Sequence, residues 1–194
     1  MFLHKNQLNT ATEIRREFFF NNDSRNMYAL LNEIVSYIKI HVPSETYGRK
    51  ISNCKQILIE LLTNAVKHSD TNLTTITVRL LNNRIEISKS DIGRRFYLAD
   101  YTGWPPLSWP LNKQYIGEKI RIYSDDISHL YAIIQNENRI AFELTEIPFD
   151  ELSEETVLLE HYGLLILTKL SNEFFYFYDS STNSNLFKAV ISLY

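Results

Sequence analysis

Apolar residues recur along this chain with two different periods, and the order of those periods predicts its elements. Glu17-Phe18-Phe19-Phe20 reads as the opening of a strand, and Asn22-Asp23-Ser24 supplies side chains suited to cap a helix. Met27, Leu30, Leu31, Ile34, Val35 and Ile38 then fall at helical spacing. Pro43 and Gly48 interrupt that pattern, and a stronger helix is predicted from about Ser52 to His68. Thr74–Leu80 and Arg84–Ser88 alternate around Asn82-Asn83, which predicts an antiparallel hairpin turning through residues that tolerate positive φ. Lys119–Tyr123, His129–Ile134 and Arg139–Thr145 read as three short strands. A helix is expected at about Gly163–Ser171, and Phe174–Tyr178 and Leu186–Leu193 read as a closing strand pair. Helices layered on a mostly antiparallel sheet make this an α+β chain.

Composition narrows the class. The chain has 194 residues, the size of one domain, and its 44% apolar content with 12 Tyr and 11 Phe excludes a disordered polymer. Twenty Lys+Arg against 23 Asp+Glu leave no basic excess, so direct nucleic-acid binding is not expected. The single Cys54 rules out a disulfide framework and suits a reducing compartment. No apolar run approaches the roughly 18 residues a membrane span needs, and Met1–Asn6 lacks the regions of a signal peptide. A cytoplasmic location without membrane association is the expectation. Pro105, Pro106 and Pro110, interleaved with Trp104 and Trp109, predict irregular structure. Core anchoring is the expected role of the two tryptophans.

The helix at Ser52–His68 carries the candidate chemistry. Leu58, Ile59, Leu61, Leu62, Ala65 and Val66 cover one broad arc of it. Glu60, Asn64, Lys67 and His68 fall on the other, so a carboxylate, an amide, an amine and an imidazole share one stripe. Such a stripe is ordinarily a solvated face, but the residues themselves say more.

Glu60-Leu61-Leu62-Thr63-Asn64-Ala65-Val66-Lys67-His68-Ser69 resembles the N box of the GHKL ATPases, the superfamily that includes sensor histidine kinases and anti-sigma-factor kinases. The resemblance implies that Glu60 is the catalytic or water-orienting carboxylate, that Asn64 ligates magnesium, and that Lys67 and His68 flank the phosphates of ATP. Those types suit the task, since magnesium takes oxygen ligands and a lysine offsets phosphate charge. Asp91-Ile92-Gly93 resembles the Asp-x-Gly box that follows in the family, which implies that Asp91 accepts from the adenine amino group and that Gly93 is the first glycine. Arg95 stands in place of a second glycine. Arg94 and Arg95 either contact phosphate or are surface charges. His161-Tyr162-Gly163-Leu164 resembles a later glycine box, with Gly163 at its second glycine and His161 in place of its first. Phe187 matches a phenylalanine of the family's last strand, preceded here by Leu186 rather than threonine.

The resemblance spans roughly residues 15–95 and 160–194. It implies a two-layer α/β sandwich, the histidine-kinase-like ATPase fold, with a β-rich insertion at about 97–159 in the lid region of a single domain. It further implies an ATP- and magnesium-binding signalling protein, closest in type to stand-alone anti-sigma-factor serine kinases. Its partner would be a sigma-factor-like or anti-anti-sigma-like regulatory protein, and a homodimer is compatible. The alternative is a non-catalytic interaction module on the same fold. A histidine kinase acting on a partner-borne phosphoacceptor ranks below both. The insertion is expected to form an added β-rich subdomain rather than a mobile glycine lid, packed on a neighbouring layer or a second subunit and, with both tryptophans in it, mediating protein–protein contact. His41 and His129, without metal-ligand spacing, are expected to be structural, and Glu154-Glu155 to be a helix-start charge pair.

Overall fold

A computed structural model of the chain describes residues 13–69, 71–93, 95–97, 107–146 and 162–194. Helices α1 (Ser24–His41) and α2 (Ser44–His68) follow strand β1 (Ile14–Phe20). Next come β2 (Thr74–Leu81), β3 (Arg84–Asp91), β4 (Lys119–Ser124), β5 (Ser128–Asn136) and β6 (Arg139–Glu146). Helix α3 (Tyr162–Leu170) leads to β7 (Glu173–Asp179) and β8 (Ser184–Ser192). The fold is mixed α+β, with one antiparallel sheet of eight strands ordered β1-β2-β3-β8-β7-β6-β5-β4.

Register makes the core. Ile85 of β3 faces Ile191 of β8, Ile87 faces Ala189, and Phe174 of β7 faces both Ala189 and Phe142 of β6. Successive side chains on a strand point to opposite faces, so these apolar positions fall on one side of the sheet. The helices cover that side with Ile34 and Ile38 of α1, Ile57, Leu58 and Leu62 of α2 and Leu167 of α3, all fully buried. Helix α1 starts where its sequence says it should, because Asp23 accepts a hydrogen bond from the Arg25 amide at 2.9 Å.

Three expectations change. Helix α2 begins at Ser44 rather than Ser52, running through Gly48 with only Tyr47 (φ −116°, ψ 23°) out of helical conformation. Pro43 occupies its N-cap, so the proline ends the preceding pattern without delaying the next helix. The Asn82-Asn83 hairpin forms with Leu81 opposite Arg84, yet among the described residues the asparagines with positive φ are Asn22 (57°) and Asn183 (54°) in other turns.

The third change concerns the insertion. Strands β4–β6 extend the main sheet, with Arg139–Phe142 of β6 pairing Phe174–Phe177 of β7, instead of forming an added subdomain on a separate layer. Their buried face (Ile120, Ile122, Leu130, Ala132, Ile134, Ile140 and Phe142) belongs to the same core as α2 and β3. Edge-on pairing satisfies both the backbone and the apolar face of such a short meander without a second protein. Trp109 is buried in that core, its indole donating to the Phe96 carbonyl at 2.7 Å. Trp104 and Glu154-Glu155 lie outside the described residues. His41 packs edge-on against Tyr37, and His129 Nδ1 shares a 2.8 Å hydrogen bond with Ser124 Oγ, both structural roles.

Candidate functional site

The polar stripe of α2 borders a cleft of about 620 Å³, with Glu60 and Asn64 half-buried and Lys67 and His68 exposed. Glu60, Thr63, Asn64, Lys67 and His68 line one wall, at the i, i+3, i+4, i+7 and i+8 positions that share a helix face. Asp91 and Lys89 of β3 and Asn185 and Phe187 of β8 form the floor, and Tyr162, Gly163 and Leu164 at the start of α3 form the opposite wall. Of the seven residues singled out in the sequence, six line this cleft. The seventh, Gly93, adjoins it: its carbonyl accepts from Asn185 Nδ2 at 3.2 Å.

Gly163 is what lets the two helices close on one another. A Cβ built there would lie 3.1 Å from Glu60 Oε2 and 3.8–3.9 Å from the Asn64 amide atoms. The missing side chain lets the start of α3 approach the α2 carboxylate and amide directly, at the first turn of a helix whose free N–H groups favour an anion. Burial pushes the Glu60 carboxyl above its ordinary 4.5, opposed by a hydrogen bond from Gln56 and by the charge of Lys67. A carboxylate tuned upward in a cleft, beside an amine, is equipped to take a proton from a hydroxyl or a water.

The floor is more constrained than the wall. Asp91 is 8% exposed; its Oδ2 accepts from the Lys89 ammonium and its Oδ1 from Asn185 Nδ2 at 3.0 Å. Asn185 in turn accepts from the Tyr176 hydroxyl at 2.5 Å, so its amide orientation is held from behind. Burial raises the Tyr176 phenol well above its usual 10, keeping it a neutral donor. Arg95 also lines the cleft, but its guanidinium stacks 4.7 Å from the Tyr178 ring centroid and donates to the Trp109 carbonyl at 3.2 Å.

Sequence reasoning passed over Thr63, Lys89 and Asn185. The latter two had a signal. In Ile85-x-Ile87-x-Lys89-x-Asp91 and Asn185-x-Phe187-x-Ala189-x-Ile191, polar residues occupy positions that the alternation assigns to the core. A charge at a core position of a strand marks either a satisfied ion pair or a site.

Among the described residues no cluster of three His, Cys, Asp or Glu side chains is placed to hold a metal by itself. Magnesium does not require one, because it binds through one or two protein oxygens together with phosphate and water. The Asn64 amide oxygen, lining the cleft with Glu60 one turn away on the same helix face, fits that donor set. A second cavity, of about 220 Å³ beside the β2–β3 turn, has mostly apolar walls including Val42, Leu80 and Ile85. Of the two, the larger cleft is the better candidate, since Glu60, Lys67, His68, Lys89 and Asp91 converge on it.

No protein-family model matches the chain, and no curated protein sequence matches it. Among the described residues no helix is long and apolar enough to cross a membrane.

Proposed function

We propose that this chain binds ATP with magnesium in the α2–β3–α3 cleft, on the two-layer histidine-kinase-like sandwich, and serves as a signalling protein of the anti-sigma-factor serine kinase type. The observation that carries the reading is the meeting of Gly163 with Glu60 and Asn64. Residues about a hundred positions apart, chosen for one chemistry, converge on one cleft whose floor is Asp91. Asn64 offers the amide oxygen for magnesium, whose chemistry when bound is to neutralise phosphate charge. Lys67 and His68 hold the phosphates from the α2 side. Glu60 orients and deprotonates the attacking hydroxyl, the role its raised pKa suits. Asp91 takes the adenine amino group. A regulatory protein bearing the acceptor serine, of the sigma-factor-like or anti-anti-sigma-like kind, is the partner this reading requires.

A non-catalytic module is the second reading, and the geometry of Arg95 favours it. Where the family has a flexible glycine, this chain has a side chain engaged with Tyr178 and Trp109. Equilibrium binding and nucleotide turnover separate the two. The kinase reading expects magnesium-dependent ATP binding that Asp91→Asn weakens, since a carboxylate acceptor becomes a neutral amide. It also expects turnover that Glu60→Gln abolishes while leaving binding in place. Wild-type affinity in Asp91→Asn would overturn the site assignment. Binding without turnover or phosphoserine on any acceptor protein would leave the interaction module.

A further inference from the structure

The cleft floor holds a cation that the roles above leave unused. Lys89 is 4% exposed, its ammonium hydrogen-bonded to Asp91 Oδ2 and 5.5 Å from the centroid of the Phe187 ring. An ammonium carries three N–H donors. Among the described residues Asp91 is its hydrogen-bond acceptor, so two donors stay without one at a buried position lining the cleft. Buried donors without acceptors are destabilising, and a ligand that supplies an acceptor there recovers that energy. Asp91 is in the complementary position. Its two oxygens each accept one bond, from Lys89 and from Asn185, and each carboxylate oxygen has about two lone-pair sites. The floor therefore sets free donors beside free acceptors, with an aromatic ring next to them.

We propose that Lys89 is a base-reading residue of the cleft: its ammonium donates to the ring nitrogen adjacent to the exocyclic amino group that Asp91 accepts from. The proposal rests on the nucleotide reading above and adds a specificity element to it. Adenine presents that combination on its Watson–Crick edge, with the 6-amino group as donor and N1 as acceptor. A carboxylate alone reads only the amino group. The Lys89–Asp91 pair reads both neighbours at once.

The test compares ATP with 1-deaza-ATP, which has carbon in place of N1, each titrated with magnesium into the wild-type protein and into Lys89→Met. Thermal unfolding accompanies the variant, since it leaves Asp91 without its cation. The expected result is that 1-deaza-ATP binds the wild type about tenfold or more weakly than ATP does, as loss of a charge-assisted hydrogen bond implies. In Lys89→Met that discrimination should vanish, with ATP falling to the level of 1-deaza-ATP. An equal penalty in both proteins would overturn the proposal. So would equal affinity of the two nucleotides for the wild type, a comparison that requires no variant to fold. Absence of binding by either nucleotide to the wild type is a different pattern, and would overturn the nucleotide reading together with the role of Lys89 in it.

Discussion

Strand β3 carries two buried acids on opposite faces of the sheet, and they have different fates. Glu86, 3% exposed, is ion-paired with Arg79 at 2.9 Å, Arg84 at 3.0 Å and Lys188 at 2.5 Å. Among the described residues Asp91 pairs with one cation, Lys89, which itself keeps unused donors, and the pair lines the cleft. Both carboxylates are buried and paired. Glu86 is closed by three cations on the face away from the helices. Asp91 lies in the cleft that α2 and the start of α3 also line. Burial and charge together do not mark a site; residual hydrogen-bonding capacity facing a cavity does.

That contrast is open to mutation, beginning with the change of largest effect. Asn64→Ala should eliminate magnesium-dependent ATP binding by calorimetry while leaving the unfolding temperature within a degree or two, because a half-buried amide on a helix is replaced by a better helix former. Ile140→Ala, in the strands first expected to be a separate unit, should lower global stability by about 2–5 kcal/mol. Because its side chain is fully buried in the shared core, the loss should appear as one transition in denaturant, and slow amide exchange of β4–β6 should need no nucleotide. Two transitions would restore an independent subdomain.

Glu86→Gln should cost about 1–2 kcal/mol of stability without altering nucleotide affinity. Breaking a buried pair is expensive, but the three cations are between 21% and 47% exposed and regain hydration. The smallest effect concerns pH. Glu60 has a folded pKa above its ordinary 4.5, so the folded state binds its proton more tightly. Its favourable contribution is present below 4.5 and is lost as pH rises through the raised value. Glu60→Gln should therefore slightly raise the unfolding temperature at neutral pH and change it less in acid. Turnover by the wild type should fall on acidification with a midpoint above 4.5, the limb on which Glu60 takes up its proton.

Much of this was legible in the order of the residues. The period of 3.6 in Met27–Ile38 and the period of 2 in Ile85–Asp91 predict α1 and β3, and the spacing of Glu60, Asn64 and Lys67 predicts one shared helix face. What the pattern does not carry is the partner of each strand edge. The meander β4–β6 has the same alternation whether it stacks as a layer or pairs with β7, and only the Phe142–Phe174 register decides it. Gly163 shows the same limit, because its use depends on the approach of Glu60 across the cleft, a contact between elements about a hundred residues apart. Lys89 and Asn185 were visible as polar residues at core positions, but their pairing with Asp91 required the registers of both β3 and β8.

On the proposed reading, the Asp91 end of β3 is a nucleotide site and the Glu86 end is not. Titration of ATP with magnesium into the wild type, Glu86→Gln and Gly163→Val tests it in a single set of experiments. The valine places a side chain whose Cβ alone lies 3.1 Å from Glu60 Oε2 into the space between the helices. The expected result is equal binding by the wild type and Glu86→Gln and none by Gly163→Val. It is contradicted if the wild type gives no binding, or if Gly163→Val binds ATP as the wild type does.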